Sequence, residues 1–194
     1  MADKSLYQYL YNDTIQLLIR RVTLQDVMEN STADSVSALI ADLASKNGQT
    51  REAARMSLVS IGKPAVPYLL PLLNNRKHQI RWEAVKALGE IKDPAAIDGL
   101  LLSLTDEEFA VRWLAAEGLV ALGPQVVIPL LKSLTQVKEE SSVLLRDGAH
   151  HILRALITDD PGKKLQPVLT ALEDIEFTSK VPPAAELALK SWRR

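Results

Sequence analysis

The chain has 194 residues, 47% apolar and only 5% aromatic, and its 23 basic and 24 acidic side chains leave a net charge of −1. That balance weighs against a protein that grips nucleic acid by neutralising phosphates, which needs a basic excess. There is no cysteine, which excludes disulfides, thiolate catalysis and thiolate-ligated zinc.

The opening Met1-Ala2-Asp3-Lys4-Ser5 lacks the basic-then-apolar pattern of a secretory signal, and no apolar run approaches the ~20 residues of a membrane span. A cytoplasmic protein without a membrane partner is the expectation. Residues 1–33 do not share the pattern of the rest. Leu6, Leu10, Leu17 and Leu18 recur at helical spacing, and Tyr7, Tyr9 and Tyr11 cluster among them. This section is expected to form N-terminal capping helices over the end of a helical stack.

From residue 34 to 194 the chain repeats itself. Arg51, Arg81, Arg112 and Arg146 stand 30, 31 and 34 residues apart. Three residues after each comes Ala54, Ala84, Ala115 or Ala149. Seven after comes Leu58, Leu88, Leu119 or Leu153, and ten after comes Ile61, Ile91, Leu122 or Leu156. Offsets of 3, 7 and 10 share one helical face, so each block is a helix with the same buried stripe. Self-similarity near this period marks stacked helical hairpins. The longer last spacing predicts an insertion at Thr135 to Ser142, as a surface loop or an extended helix end.

A second helix follows each block, opened by Gly62-Lys63-Pro64, Lys92-Asp93-Pro94, Gly123-Pro124 and Pro161-Gly162. Proline is tolerated in a first turn, where the amide hydrogen has no intrahelical partner. Pro71 lies deeper and predicts a kink or an early end. The chain closes on Val181 to Trp192, where Ala185, Leu189 and Trp192 repeat the spacing counted from Pro182, as a C-terminal half-repeat cap would. The expected fold is all-α: a right-handed α-α superhelix of about four helical hairpins with terminal caps, continuous with residues 1–33.

Arg81 to Pro94 and Val111 to Pro124 carry a resemblance to HEAT-like repeats of the phycobilin-lyase type. The pattern of those repeats is V-R-x-x-A-A-x-A-L-G-x-I-G-D-P followed by a leucine-rich helix, and the resemblance extends over 34–192. Gly48 to Leu189 also resembles a group of small bacterial HEAT-repeat proteins, through Arg51-Glu52-Ala53-Ala54-Arg55, Arg81-Trp82-Glu83-Ala84, Val111 to Ala116 and Gly148-Ala149-His150-His151. The resemblance implies a HEAT solenoid. HEAT arrays host scaffolds, lyases, hydroxylases and DNA glycosylases, so the function has to come from the site.

In HEAT-like arrays the V-R-x-x-A-A helix lines the concave side, and offsets 1, 2 and 5 are expected to face the groove. These are Glu52, Ala53 and Met56; Trp82, Glu83 and Lys86; Trp113, Leu114 and Glu117; Asp147, Gly148 and His151. Trp82 and Trp113 fill the same slot in adjacent repeats, and tryptophan is enriched in binding hot spots. The partner-binding groove is therefore expected at Trp82, Glu83, Lys86, Trp113, Glu117, Asp147 and His151. One lysine against four acids (Glu52, Glu83, Glu117 and Asp147) among the offset positions repels phosphate. The recurring arginines Arg81, Arg112 and Arg146 are expected to be architectural, bonded to preceding loops and to acids such as Asp106.

No catalytic residue, cofactor or metal is expected. His151 with Asp147 and Glu117 offers few ligands, and His150 sits beside the core stripe. The resemblance to deoxyhypusine hydroxylases would require paired His-Glu dyads where Trp82-Glu83 and Trp113-Leu114 stand. The preferred expectation is a non-enzymatic interaction module whose groove takes a peptide or helix of a partner protein. The alternative is a bilin lyase-like or chromophore-handling accessory protein. Nucleic-acid binding ranks third.

Overall fold

The computed structural model describes residues 34–137, 139–157 and 163–192; the expected capping helices of 1–33 lie outside the described residues. Among those described, every regular element is helical. A helix over 34–42 (α1) is followed by α2 (Gly48–Ile61), α3 (Val66–Leu69), α4 (His78–Ile91), α5 (Ile97–Ser103) and α6 (Phe109–Leu122). Then come α7 (Val127–Leu134), α8 (Glu139–Leu156), α9 (Gln166–Glu173) and α10 (Phe177–Trp192). The arginine blocks are α2, α4, α6 and α8, the inner helices. The shorter α3, α5 and α7 are the outer ones, each entered through a 3-10 turn.

The repeated stripe is the core. Leu58, Leu88, Leu119 and Leu153 are all 0% exposed, and the alanines four residues before them are no more than 2% exposed. Burying each leucine contributes about 1.5–3 kcal/mol, and the small alanine lets neighbouring helices close in. The approach is tightest between α4 and α6, the most extensive helix contact. A Cβ added to Gly89 or Gly118 would sit 3.0 Å from the other's Cα.

The inner helices α2, α4 and α6 are each tied to the turn before them by their arginine. Arg51 Nη1 donates to Ser45 O and Lys46 O, Arg81 Nη1 to Asn75 O and Arg76 O, and Arg112 Nη1 to Asp106 O and Glu107 O. The same two carbonyl positions are used in three repeats, as expected of architectural arginines. Arg81 also forks onto Asp106, at 2.7 and 2.8 Å, and reaches Glu107 at 2.9 Å. Arg146 lies over the ring of Phe177, 4.9 Å from its centroid.

Inner helices end at equivalent positions with positive φ: Gly62 at 74°, Lys92 at 57° and Gly123 at 78°. Gly62 and Gly123 combine it with ψ of −135° and −156°, a backbone open to glycine alone, whereas Lys92 at ψ 33° sits in the left-handed region, which costs a residue with a Cβ about 1–2 kcal/mol. Repeat two therefore carries a strained lysine where its neighbours have glycine.

Irregularities follow their sequence causes. α3 ends at Leu69, and Leu70–Asn74 continues as a 3-10 helix with Pro71 in its first turn. The insertion is absorbed by lengthening α8 to 18 residues from the 14 of α6. The C-terminal half-repeat differs from expectation in two ways. α10 begins at Phe177, ahead of the proline pair Pro182 and Pro183, which lies inside it. It also lies along α7 and α9, while α9 takes the place beside α8, so the inner layer is not continued by α10. Phe109–Leu134 is long and apolar enough to span a membrane by composition; half of it is buried in the stack.

Candidate functional site

At about 100° per residue, offsets 1 and 5 point opposite the buried stripe, whereas offset 2 points sideways at the preceding repeat. Two expected groove residues are accordingly elsewhere. Glu83 is 3% exposed, accepts from Arg51 Nε at 3.1 Å and pairs with Arg55. It stitches α2 to α4 and does not reach the groove. A Cβ on Gly148 would meet Leu104 Cδ2 at 2.8 Å, so this position also faces a neighbour.

Trp82 is half-buried, with the Arg55 guanidinium 5.5 Å and Lys86 Nζ 5.0 Å from its ring centroid. Arg55 Nε has no hydrogen-bond partner among the described residues. Trp82 is thus held by cations, while Trp113 presents its ring to solvent at 48% exposure. The two indoles share a register but not an environment.

Trp113 is the centre of an aromatic shelf. Phe109 stacks beside it at 6.4 Å, and the His151 imidazole lies 5.0 Å from it at an interplanar angle of 40°. His151 Nε2 stands 2.7 Å from Glu117 Oε1, linking α8 to α6. A carboxylate oxygen accepts, so Nε2–H is the donor in this bond. An aromatic surface with an imidazole beside it suits a flat, conjugated ligand.

Next to the shelf is a notch of about 240 Å³, lined by Lys86, Gly89, Glu90, Lys92, Leu114, Glu117, Gly118 and Ala121. It exists because two glycines meet at its floor. Lys86 and Glu117, expected at the groove, are brought together here, and Glu117 joins the notch to His151. Asp147 is not part of it. Asp147 lines a separate cleft with Arg146, His150, Leu172 and Glu173, between α8 and α9. There His150 Nε2 lies 3.0 Å from Glu173. That hydrogen bond, with the charge of Arg154, holds the Glu173 carboxyl below its ordinary range. No cluster of three or more metal-ligating side chains forms among the described residues.

Phe109 and Lys92 are site residues that offsets counted forward from the arginine do not reach as groove positions. Phe109 stands four residues before Trp113, one helical turn upstream on the same face. Lys92 was legible only as a break from glycine at the helix end.

The HEAT repeats family model matches residues 36–108 and again 68–146. The chain is similar to a phycocyanobilin lyase subunit beta of Thermosynechococcus vestitus, 33% identical over 132 residues, which is 67% of this chain and 61% of the relative. It is also similar to the bilin biosynthesis protein RpcF of Synechococcus sp., 36% identical over 47% of this chain and 44% of the relative. A phycocyanobilin lyase subunit beta of Nostoc sp. is 32% identical over 55% and 53%. The chain thus spans 44% to 61% of the length of these curated relatives. Among solved structures, the complex of CpcE and CpcF of phycocyanin lyase from Nostoc sp. PCC7120 matches with a TM-score of 0.54 and 26% identity, over 80% of this chain and 98% of that one. These relatives overturn the expectation of a non-enzymatic scaffold, because they are named as lyase subunits and a bilin biosynthesis protein. The alternative reading, a bilin lyase-like protein, is the one they favour. With the arginine ladder, the buried 3-7-10 stripe and a family match spanning 36–146, the chain belongs to the HEAT-repeat family, with repeats of the phycobilin-lyase type.

Proposed function

We propose that this chain is a subunit of a bilin lyase-like assembly and holds an open-chain tetrapyrrole on its inner face. The single observation that carries the reading is the solvent-facing Trp113 indole with the His151 ring 5.0 Å away, in a chain whose relatives are named for phycocyanobilin. A lyase adds a group across a double bond or eliminates one to form it. Such a step needs a surface for the flat conjugated substrate and a group that holds or moves a proton. Trp113 and Phe109 supply the first. His151, oriented by Glu117, supplies the second.

The chain has no cysteine, so a thiol that bonds to the chromophore belongs to another protein. The likeness to a chain from a two-protein lyase complex supports a second protein as the working partner. Mixing the purified chain with phycocyanobilin tests the reading. Induced visible circular dichroism and quenching of tryptophan fluorescence at micromolar protein are expected. An unchanged pigment spectrum at that concentration would overturn it.

A further inference from the structure

The notch beside Trp113 has a chemistry that the aromatic shelf does not account for. Lys86 and Lys92 both line it. Lys86 Nζ rests over the Trp82 ring at 5.0 Å, Lys92 is exposed, and neither ammonium forms an ion pair among the described residues. Glu117 is engaged by His151, while Glu90 is exposed at the same rim.

Lys92 is the telling residue. It occupies the helix-end position that is Gly62 in one flanking repeat and Gly123 in the other, but at ψ 33° in the left-handed region where they stand at ψ −135° and −156°. A side chain held in the left-handed region at the rim of the notch stores strain of the kind found at ligand clamps.

We infer that the notch takes a ligand carboxylate: a propionate arm of the tetrapyrrole, gripped by Lys86 and Lys92 while the conjugated rings lie on Trp113 and His151. This rests on the bilin reading above. The notch, at about 240 Å³, is smaller than a pocket that encloses a whole drug-sized ligand, so it holds one arm and leaves the rest on the shelf. Two carboxylates beside two ammonium groups disfavour a phosphate dianion. They suit a monoanionic carboxylate whose neighbouring pyrrole N–H groups donate to Glu90 or Glu117.

The test compares biliverdin, a free dicarboxylate, with its dimethyl ester in titrations read by visible circular dichroism. The ester is expected to bind about fivefold more weakly. Lys86→Met and Lys92→Gly are each expected to weaken biliverdin about threefold and leave the ester unchanged. Lys92→Gly restores the residue of the flanking repeats, so it is expected to melt no lower than the parent. Loss of affinity in that variant is then not loss of fold. Equal binding of acid and ester, or equal weakening of both by the lysine variants, would overturn the carboxylate assignment while leaving the bilin reading intact. Failure of both pigments to bind the parent would remove the bilin reading itself, and this assignment with it.

Discussion

Two arginines at the same position in adjacent repeats should differ in what their removal costs. Arg81 is 7% exposed and forks onto Asp106, whose side chain is 8% exposed, besides bonding the carbonyls of Asn75 and Arg76. Arg81→Ala strands a nearly buried carboxylate. Breaking a buried pair from one side costs about 3–5 kcal/mol. Asp106 keeps a hydrogen bond from the Glu108 N–H, so the lower end applies, about 3 kcal/mol. For a chain of this size that lowers the melting temperature by about 6–12 °C. Among the described residues Arg112 bonds only the carbonyls of Asp106 and Glu107, so losing those bonds in Arg112→Ala should cost about 1 kcal/mol. Adding Asp106→Asn to Arg81→Ala should recover part of the loss, since the stranded charge is gone. Urea denaturation of the four proteins reads this directly. Equal cost for the two arginines, or no recovery in the double variant, would refute the cross-repeat clamp.

The same clamp predicts acid sensitivity. Burial pushes the Asp106 carboxyl up, but hydrogen bonds from Arg81 and the Glu108 N–H, with the charges of Arg81 and Arg112, outweigh it and hold the pKa below its ordinary 3.8. A depressed carboxyl binds fewer protons folded than unfolded. Its stabilisation is therefore complete above 3.8 and drains as pH falls through the folded value. Asp106→Asn should flatten the fall in stability between about pH 5 and pH 2, measured by thermal melts across that range. Gly118→Ala would push a Cβ to 3.0 Å from Gly89 Cα and 3.4 Å from Leu100 Cδ1. Overpacking costs about 1–3 kcal/mol and the gain in helix propensity returns up to about 1, so a net loss near 1 kcal/mol is expected in urea denaturation. Because either substitution spreads the same crossing, Gly89→Ala with Gly118→Ala should cost less than the two singly.

The fold was legible because its causes are local and repeated. An arginine, an alanine and a leucine recur at spacings that put two of them in the core and tie the third to the preceding turn. Pro71 announced its 3-10 segment because a ring cannot replace a missing N–H donor. The placement of α10 along α7 was not legible: its 3-7-10 spacing says that one face is buried, not against which neighbour. The site was half legible for the same reason. Offsets 1 and 5 place Trp113, Lys86, Glu117 and His151 on the inner face by helix geometry alone. Glu83 was misplaced because offset 2 looks sideways, where the arginines of the previous repeat wait. That Trp113 is open while Trp82 is sandwiched depends on Arg55 one repeat away, a contact no single helix encodes.

The central claim is that the shelf at Trp113 holds an open-chain tetrapyrrole. It is tested most directly by the dissociation constant for phycocyanobilin, from visible circular dichroism, in the parent and in Trp113→Ala. Trp113 is half-exposed, so its removal should leave the melting temperature nearly unchanged. Loss of a stacking surface worth about 1–1.5 kcal/mol should weaken binding about tenfold. Equal affinity in the two proteins would contradict the account.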